Sequence, residues 1–294
     1  MLLQRVITAS VLAPLVVLAI FKLPHLYFSL IWAAVLLVGA WEWTNLAGVK
    51  STVIKVLFLL LLLIPMAILQ FWTQTLELIA QMANWPEVRT QSGLIEWLVV
   101  PPVLFWFWVM IKIRKAGGDL LATSMTMTKK LLLGGFLLIS AWLFLSRLIV
   151  LEEPAMTMYL FILIWAADIG AYFTGKKFGK TKLAVEISPG KTLEGMYGAL
   201  ASAVVVSIVF TLYYEMWVLY IADFVLLSVI TVLVSIYGDL FFSAAKRIRG
   251  VKDSGTILPG HGGILDRLDS VIAAVPVFYA GAWLIRWMGQ GIVT

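Results

Sequence analysis

Long apolar runs separated by short polar connections dominate the chain. A helix needs about 20 mostly apolar residues to cross about 30 Å of hydrocarbon. Nine runs meet or approach that length: 6–21, 26–46, 53–71, 94–113, 131–151, 155–174, 196–214, 217–237 and 271–288. The pattern predicts an all-α polytopic integral membrane protein with about nine transmembrane helices. Pro101-Pro102 falls in the first half of the fourth run and predicts a kink there. Little more than Glu215 separates the seventh and eighth runs, which predicts a tight helical hairpin. Helical periodicity hardly breaks from Trp217 to Arg249, 33 residues or about 50 Å. That helix is therefore expected to project beyond the bilayer or to break near Gly238. The partly amphipathic stretch Leu76–Trp85 is expected to lie along the outer surface. The first run follows a lone Arg5 and no small-residue cleavage site succeeds it, so it reads as a span and not as a signal peptide. Without a soluble domain, internal repeat or low-complexity linker, residues 1–294 read as a single membrane domain.

Composition agrees. Of 294 residues, 62% are hydrophobic and 13% charged, against about 45–50% apolar and about 25% charged in an ordinary soluble domain. One soluble globule of this size cannot hide so much apolar surface, and a disordered chain is excluded by the same figures. The absence of cysteine excludes disulfides, thiolate metal sites and cysteine nucleophiles. With His25 and His261 the only histidines, a metal site must lean on carboxylates, which favours a hard ion such as Mg²⁺ over zinc.

The net charge of +6 is modest, and its placement is more informative. Even-numbered connections carry Lys50, Lys112, Arg114, Lys115, Lys129, Lys130, Lys176, Lys177, Lys180, Lys182, Lys191, Lys246, Arg247, Arg249, Lys252 and Arg267. Odd-numbered ones hold little beyond Lys22 and Arg89. This asymmetry predicts a cytoplasmic N-terminus, cytoplasmic even loops and a C-terminus on the outer side.

Ionisable groups inside spans are functional suspects unless they can snorkel to an interface. Arg147, near the outer end of its run and near Glu152-Glu153, reads as snorkelling or paired, and Asp223 reads the same way. Glu42, Asp168 and Asp239 lie instead toward the cytoplasmic ends of their runs. Asp266 and Asp269 stand just before the ninth run, three residues apart and so on one helical face. Gly190-Lys191-Thr192 is not a P-loop, because Val185 occupies the position of the first Walker glycine. Ser188–Thr192 is expected to form a turn that presents N–H groups and an ammonium to phosphate, or to anionic lipid headgroups.

Residues 243–269 concentrate charge and glycine in an otherwise apolar chain. Gly260, Gly262 and Gly263 around His261 permit positive φ and close approach to a ligand. Lys246, Arg247, Lys252 and Arg267 can neutralise phosphate charge. Asp239 with Asp266 or Asp269 could hold a divalent ion bridging those phosphates. His261 reads as a positioning hydrogen-bond donor. Together these residues describe a nucleoside-triphosphate site at the membrane surface.

This stretch resembles the signature of the phosphatidate cytidylyltransferases (CDP-diacylglycerol synthases), S-x-x-K-R-x4-K-D-x-G/S/A-x2-L/I/F-P-x-H-G-G-x2-D-R-x-D. Ser243, Lys246-Arg247, Lys252-Asp253, Gly255, Leu258-Pro259, His261-Gly262-Gly263, Asp266-Arg267 and Asp269 occupy its fixed positions. Upstream, Gly238-Asp239-Leu240, Ser188–Thr192, Asp168-x-Gly170-Ala171-Tyr172 and Trp41-Glu42-Trp43 are similar to further family motifs, so the likeness covers nearly the whole chain. Two positions depart: Phe242 stands where many relatives carry Glu, and Ile169 where a small polar residue is usual.

The resemblance implies transfer of CMP from CTP to phosphatidate, giving CDP-diacylglycerol and pyrophosphate in phospholipid biosynthesis. The catalytic motifs would lie in the 155–294 half, in cytoplasmic loops 175–195 and 238–270. It further implies Asp239 and Asp266 as Mg²⁺ ligands, with Asp168 and Asp269 as ligands or supporting partners and the number of ions left open. Lys191, Lys246, Arg247, Lys252 and Arg267 would bind phosphates. Ser188, Thr192, Ser243, Asp253, His261, Gly262 and Gly263 would bind or orient substrates. A homodimer in a bacterial cytoplasmic membrane, its site facing the cytoplasm and with no nucleic acid among its partners, completes the expectation.

Two other classes predict different patterns. A transporter or flippase calls for ionisable groups near the midplane and pseudo-symmetric repeats. CDP-alcohol phosphotransferases call for D-G-x2-A-R-x8-G-x3-D-x3-D, whereas the acids here fall at Asp239, Asp266 and Asp269.

Overall fold

The computed structural model describes residues 2–116, 125–151, 153–215 and 218–290. Helices dominate it: α1 (Leu2–Lys22), α2 (His25–Ala47), α3 (Thr52–Gln70), α4 (Trp72–Met82), a 3₁₀ turn (Pro86–Gly93), α5 (Leu94–Trp97), α6 (Val100–Ala116), α7 (Met127–Leu151), α8 (Glu153–Phe178), α9 (Leu193–Tyr213), α10 (Val218–Ile248) and α11 (Leu265–Gln290). Among the described residues eight helical segments are long and apolar enough to cross a membrane, and α1 adds a shorter apolar stretch, Ser10–Lys22.

Three helices form the centre. In α7 and α11, 72% of the most apolar window is buried inside the protein, and in α10 61%. In α3 only 11% is buried, so α3 lines the periphery and offers its leucines and isoleucines outward. Helix α2 locks onto α7 through reciprocal tryptophans: Trp142 Nε1 donates to the Ser29 carbonyl at 3.1 Å and Trp32 Nε1 to the Ala141 carbonyl at 3.3 Å. Ser146 Oγ to Ser29 Oγ (3.0 Å) and Ser29 Oγ to Gln70 Oε1 (2.6 Å) continue the network. Without water nearby, such polar groups must find partners within the protein.

Helices α8 and α9 approach backbone to backbone. A Cβ added at Gly170 would stand 2.8 Å from the Gly198 carbonyl, and one at Gly198 would stand 2.7 Å from the Gly170 carbonyl. Small residues permit this approach in a membrane bundle, and it brings Asp168 on α8 toward the segment that precedes α9.

The proline kink is a full interruption. The helix breaks at Leu98–Val99, and Pro101-Pro102 fall in the first turn of α6, where a missing N–H breaks no helical bond. Gly238 does not break α10, which runs unbroken for 31 residues. A Cβ there would meet the Asp269 carbonyl at 3.0 Å and would overlap Ala273, so this glycine serves close packing of α10 on α11.

The expected turn at Ser188–Thr192 is instead a strand. β1 (Lys182–Ala184) and β2 (Ser188–Thr192) pair antiparallel, Lys182 opposite Thr192 and Ala184 opposite Ser188. Pro189 is tolerated because a two-stranded ribbon is all edge. The amphipathic stretch forms α4, which buries Leu76 and Ala80 against Val88 of the following 3₁₀ turn. Arg89 reaches back to Glu77 at 2.6 Å and, with Gln81, lowers the pKa of that carboxyl to about 2.

Arg147 is paired, but with an unforeseen partner. It bonds Glu96 of α5, which also accepts from the Tyr279 hydroxyl of α11. This cluster sits at the end of the bundle opposite to Asp266.

Candidate active site

The ends of α2, α8 and α10 and the starts of α7, α9 and α11 share one end of the bundle, and the suspect acids gather there. Asp239, Ser243, Lys246 and Arg247 follow one another along α10 at offsets of four, seven and eight, which places them on one stripe. Ser243 Oγ donates to Asp239 Oδ1 at 3.1 Å. Asp239 Oδ2 is ion-paired with Lys191 Nζ of β2 at 2.7 Å. The strand thus aims at α10 a lysine that was expected on a turn. Arg247 fixes the hairpin in place, since its Nε donates to the Ile187 carbonyl at 3.2 Å and its Nη1 to the Val251 carbonyl at 3.3 Å.

A second ion pair lies deeper. Lys246 Nζ is 2.6 Å from Asp266 Oδ1 and 4.0 Å from Asp269 Oδ2. Asp266 Oδ2 accepts the backbone N–H groups of Ser254 (2.8 Å) and Gly263 (2.9 Å). Both oxygens of Asp266 are therefore engaged within the protein. Asp269 Oδ1 accepts from the Ser270 N–H at 2.8 Å. Asp168 lies within electrostatic range of Lys191, Asp239 and Arg267, so all four suspect aspartates belong to one neighbourhood. Among the described residues, however, no three acids or histidines form a ready cation cage. Lysines hold the places next to the carboxylates.

The connection from α10 to α11 is folded tightly. The Leu258 N–H donates to the Gly262 carbonyl and the His261 N–H to the Leu258 carbonyl, each at 2.9 Å, with Gly260 and Gly262 at φ of 74° and 82°. Arg267 Nη2 donates to the His261 carbonyl at 3.0 Å, while His261 Nδ1 is buried without a partner among the described residues. Lys252 and Asp253 stand exposed on this loop.

Gly263 departs from expectation. A Cβ there would overlap Ser254 Oγ and the Glu42 carboxylate, so the close approach serves Glu42 and not a ligand. Thr192 is likewise committed inside the fold: it is buried, and its Oγ1 accepts from the Gly195 N–H at 3.1 Å as the N-cap of α9. Glu42, singled out in the sequence only by its depth and its place in Trp41-Glu42-Trp43, holds the α10–α11 loop from α2 through its carboxylate.

Beside the ion pairs a cavity of about 290 Å³ opens between α8, β2 and α9. Asp168, Lys176, Lys191 and Tyr172 give it polar groups, and Ala171 and Met196 give it apolar walls. Ser188 is half-buried next to the turn of the hairpin, opposite Ala184. A polar cluster edged by an apolar cavity can receive a phosphorylated molecule with a hydrocarbon portion.

Comparison with known proteins places the sequence in a family. The sequence profile of the cytidylyltransferase family covers residues 3–285. A phosphatidate cytidylyltransferase of Haemophilus influenzae is 37% identical over 289 residues, covering 95% of this chain and 97% of that protein. One of Pseudomonas aeruginosa is 36% identical over 292 residues, covering 98% and 99%. One of Bacillus subtilis is 48% identical over 124 residues, covering 41% of this chain and 45% of that protein. With nearly its full length matched, the chain belongs to the cytidylyltransferase family.

Proposed function

We propose that this protein transfers CMP from CTP to phosphatidate, producing CDP-diacylglycerol and pyrophosphate. The observation that carries the reading is the cluster of Lys191, Asp239, Lys246 and Asp266 at one end of a membrane bundle, beside a cavity with apolar walls.

The nucleophile is a phosphate monoester whose second pKa is about 6, so it is already largely anionic at neutral pH. A strong general base is unnecessary. A phosphatidate oxygen forms a bond to the α-phosphorus of CTP, and the bond to the β-phosphate oxygen breaks. The difficulty lies in bringing two anions together and stabilising the leaving pyrophosphate, which positioned cations achieve. In this reading Lys191, Lys246, Arg247, Lys252 and Arg267 bind the phosphates, and Ser188, Ser243, Asp253 and His261 orient them.

A hard divalent cation such as Mg²⁺ belongs to the same reading. The donors are all carboxylate oxygens, as such an ion requires. Asp239 and Asp266 would hold it, in competition with the lysines that now pair with them. Asp168 and Asp269 flank them. Bound there, the ion would neutralise phosphate charge and stabilise the leaving group. The lysine-rich even loops support this end of the bundle facing the cytoplasm, and the bacterial relatives support a bacterial cytoplasmic membrane setting.

Purified protein in vesicles containing phosphatidate, supplied with labelled CTP and Mg²⁺, tests the reading. Label in lipid with release of pyrophosphate is expected. Transport of an ion or lipid with no labelled lipid would overturn it.

A further inference from the structure

We propose that Glu42 is a positioning residue for CMP transfer: from α2 it sets the conformation of the loop and helix start that present His261, Asp266 and Arg267. The proposal rests on the reading of that loop as part of the active site.

Glu42 is 1% exposed, and its carboxylate faces no lysine or arginine among its bonded partners. Oε1 accepts the Ile264 N–H at 3.0 Å, and Oε2 accepts the Leu265 N–H at 2.8 Å and the Ser254 hydroxyl at 2.8 Å. Three donors thus converge on two oxygens that act only as acceptors. Two of them are N–H groups at the start of α11, which have no partner within the helix and favour a negative charge. The third ties down residue 254, whose N–H already bonds Asp266. Glu42 and Asp266 therefore grip the same loop together, one from 222 residues away in sequence.

The chain has made room for this contact. A Cβ at Gly255 or at Gly263 would overlap the Glu42 carboxylate. Two glycines pressed on one buried acid leave little slack, so the position of the acid is transmitted to the loop. Removing an acceptor from buried backbone donors costs more than the net worth of the bonds themselves. Misplacement of catalytic groups by about 1 Å can cost on the order of 10²-fold in rate.

Glu42→Gln keeps the shape but turns one acceptor oxygen into a donor. Whichever oxygen is replaced, a backbone N–H of Ile264 or Leu265 loses its acceptor. Two measurements on inserted, purified protein form the test: kcat and KM for CMP transfer, and the rate of tryptic cleavage after Arg249 and Lys252 without substrate. We expect kcat to fall on the order of 10²-fold with KM for CTP changed less than about threefold, together with faster cleavage of the loop. Glu42→Asp should lie between Gln and the parent. Unchanged kcat per folded molecule would overturn the proposal, with or without faster cleavage, and so would a loss of kcat with unchanged cleavage. If the parent protein transfers no CMP, the activity reading fails, while the cleavage comparison still tests the grip of Glu42 on the loop.

Discussion

Lys191 Nζ lies 2.7 Å from Asp239 Oδ2, a contact between a β-hairpin and the C-terminal third of a transmembrane helix. Both side chains remain partly accessible, 27% and 31% exposed, so a ligand can reach the pair. Lys191 lines the cavity as well, joining the ion pair to the space where a substrate would sit. Lys191→Met should lower CMP transfer by about 10²–10³-fold, comparable to loss of one preorganised charge-stabilising donor. The cost in folding should be smaller than for a fully buried pair, because both side chains remain partly accessible. Lys191→Arg should not restore the rate, since a planar fork cannot replace a compact ammonium there. Steady-state assays and thermal unfolding in detergent check both statements.

The deeper pair predicts a different balance. Lys246 and Asp266 have side chains only 10% and 5% exposed, and Asp266 also holds two loop N–H groups. Removing one partner of such a pair is expected to destabilise by about 3–5 kcal/mol. Lys246→Met should therefore lose both activity and thermal stability, unlike Lys191→Met. Unfolding midpoints of the two variants, measured side by side, check the contrast.

At the far end of the bundle from the acids of the site, the partly exposed Arg147 pairs with the buried Glu96, which also accepts from the buried Tyr279. Arg147→Met should destabilise by about 3–5 kcal/mol because it strands the Glu96 carboxylate. Glu96→Gln combined with Arg147→Met should recover part of that loss. CMP transfer per folded molecule should stay near the parent value in both, as an assay normalised to folded protein would show.

At Gly238 the prediction is steric. An added methyl group must displace Ala273 or the Asp269 backbone, so Gly238→Ala should cost about 1–3 kcal/mol as an overpacked contact. It should also lower the transfer rate, because Asp239 and Asp269 move with the two helices. Unfolding midpoint and kcat, measured together, check it.

Much of this architecture was legible in the sequence, for reasons that also mark its limits. Apolar run lengths report the spans because the bilayer thickness fixes helix length, and charges in so apolar a chain point to the end where Asp168, Asp239, Asp266 and Asp269 meet. Periodicity does not report which helix a residue faces. Gly238 therefore looked like a breaker when it is a packing contact, and Gly263 looked like a ligand cradle when it faces Glu42. The hairpin at 182–192 escaped notice because a short strand with Pro and Gly carries turn chemistry. Glu42 showed its suspicious depth, but a bond spanning 222 residues leaves no local signature. The pairing of Asp266 with Lys246 was hidden for the same reason: two charges read as ligand groups can first satisfy each other.

The most direct test of the account is the transfer reaction of the parent protein beside Asp239→Ala, with both proteins confirmed as inserted and folded. In vesicles with phosphatidate, labelled CTP and Mg²⁺, the parent should place one label in lipid for each pyrophosphate released. Asp239→Ala should fall by about 10³-fold or more, as expected when a central charge of a preorganised site is lost. Turnover within tenfold of the parent would contradict the central role given to the Lys191–Asp239 pair.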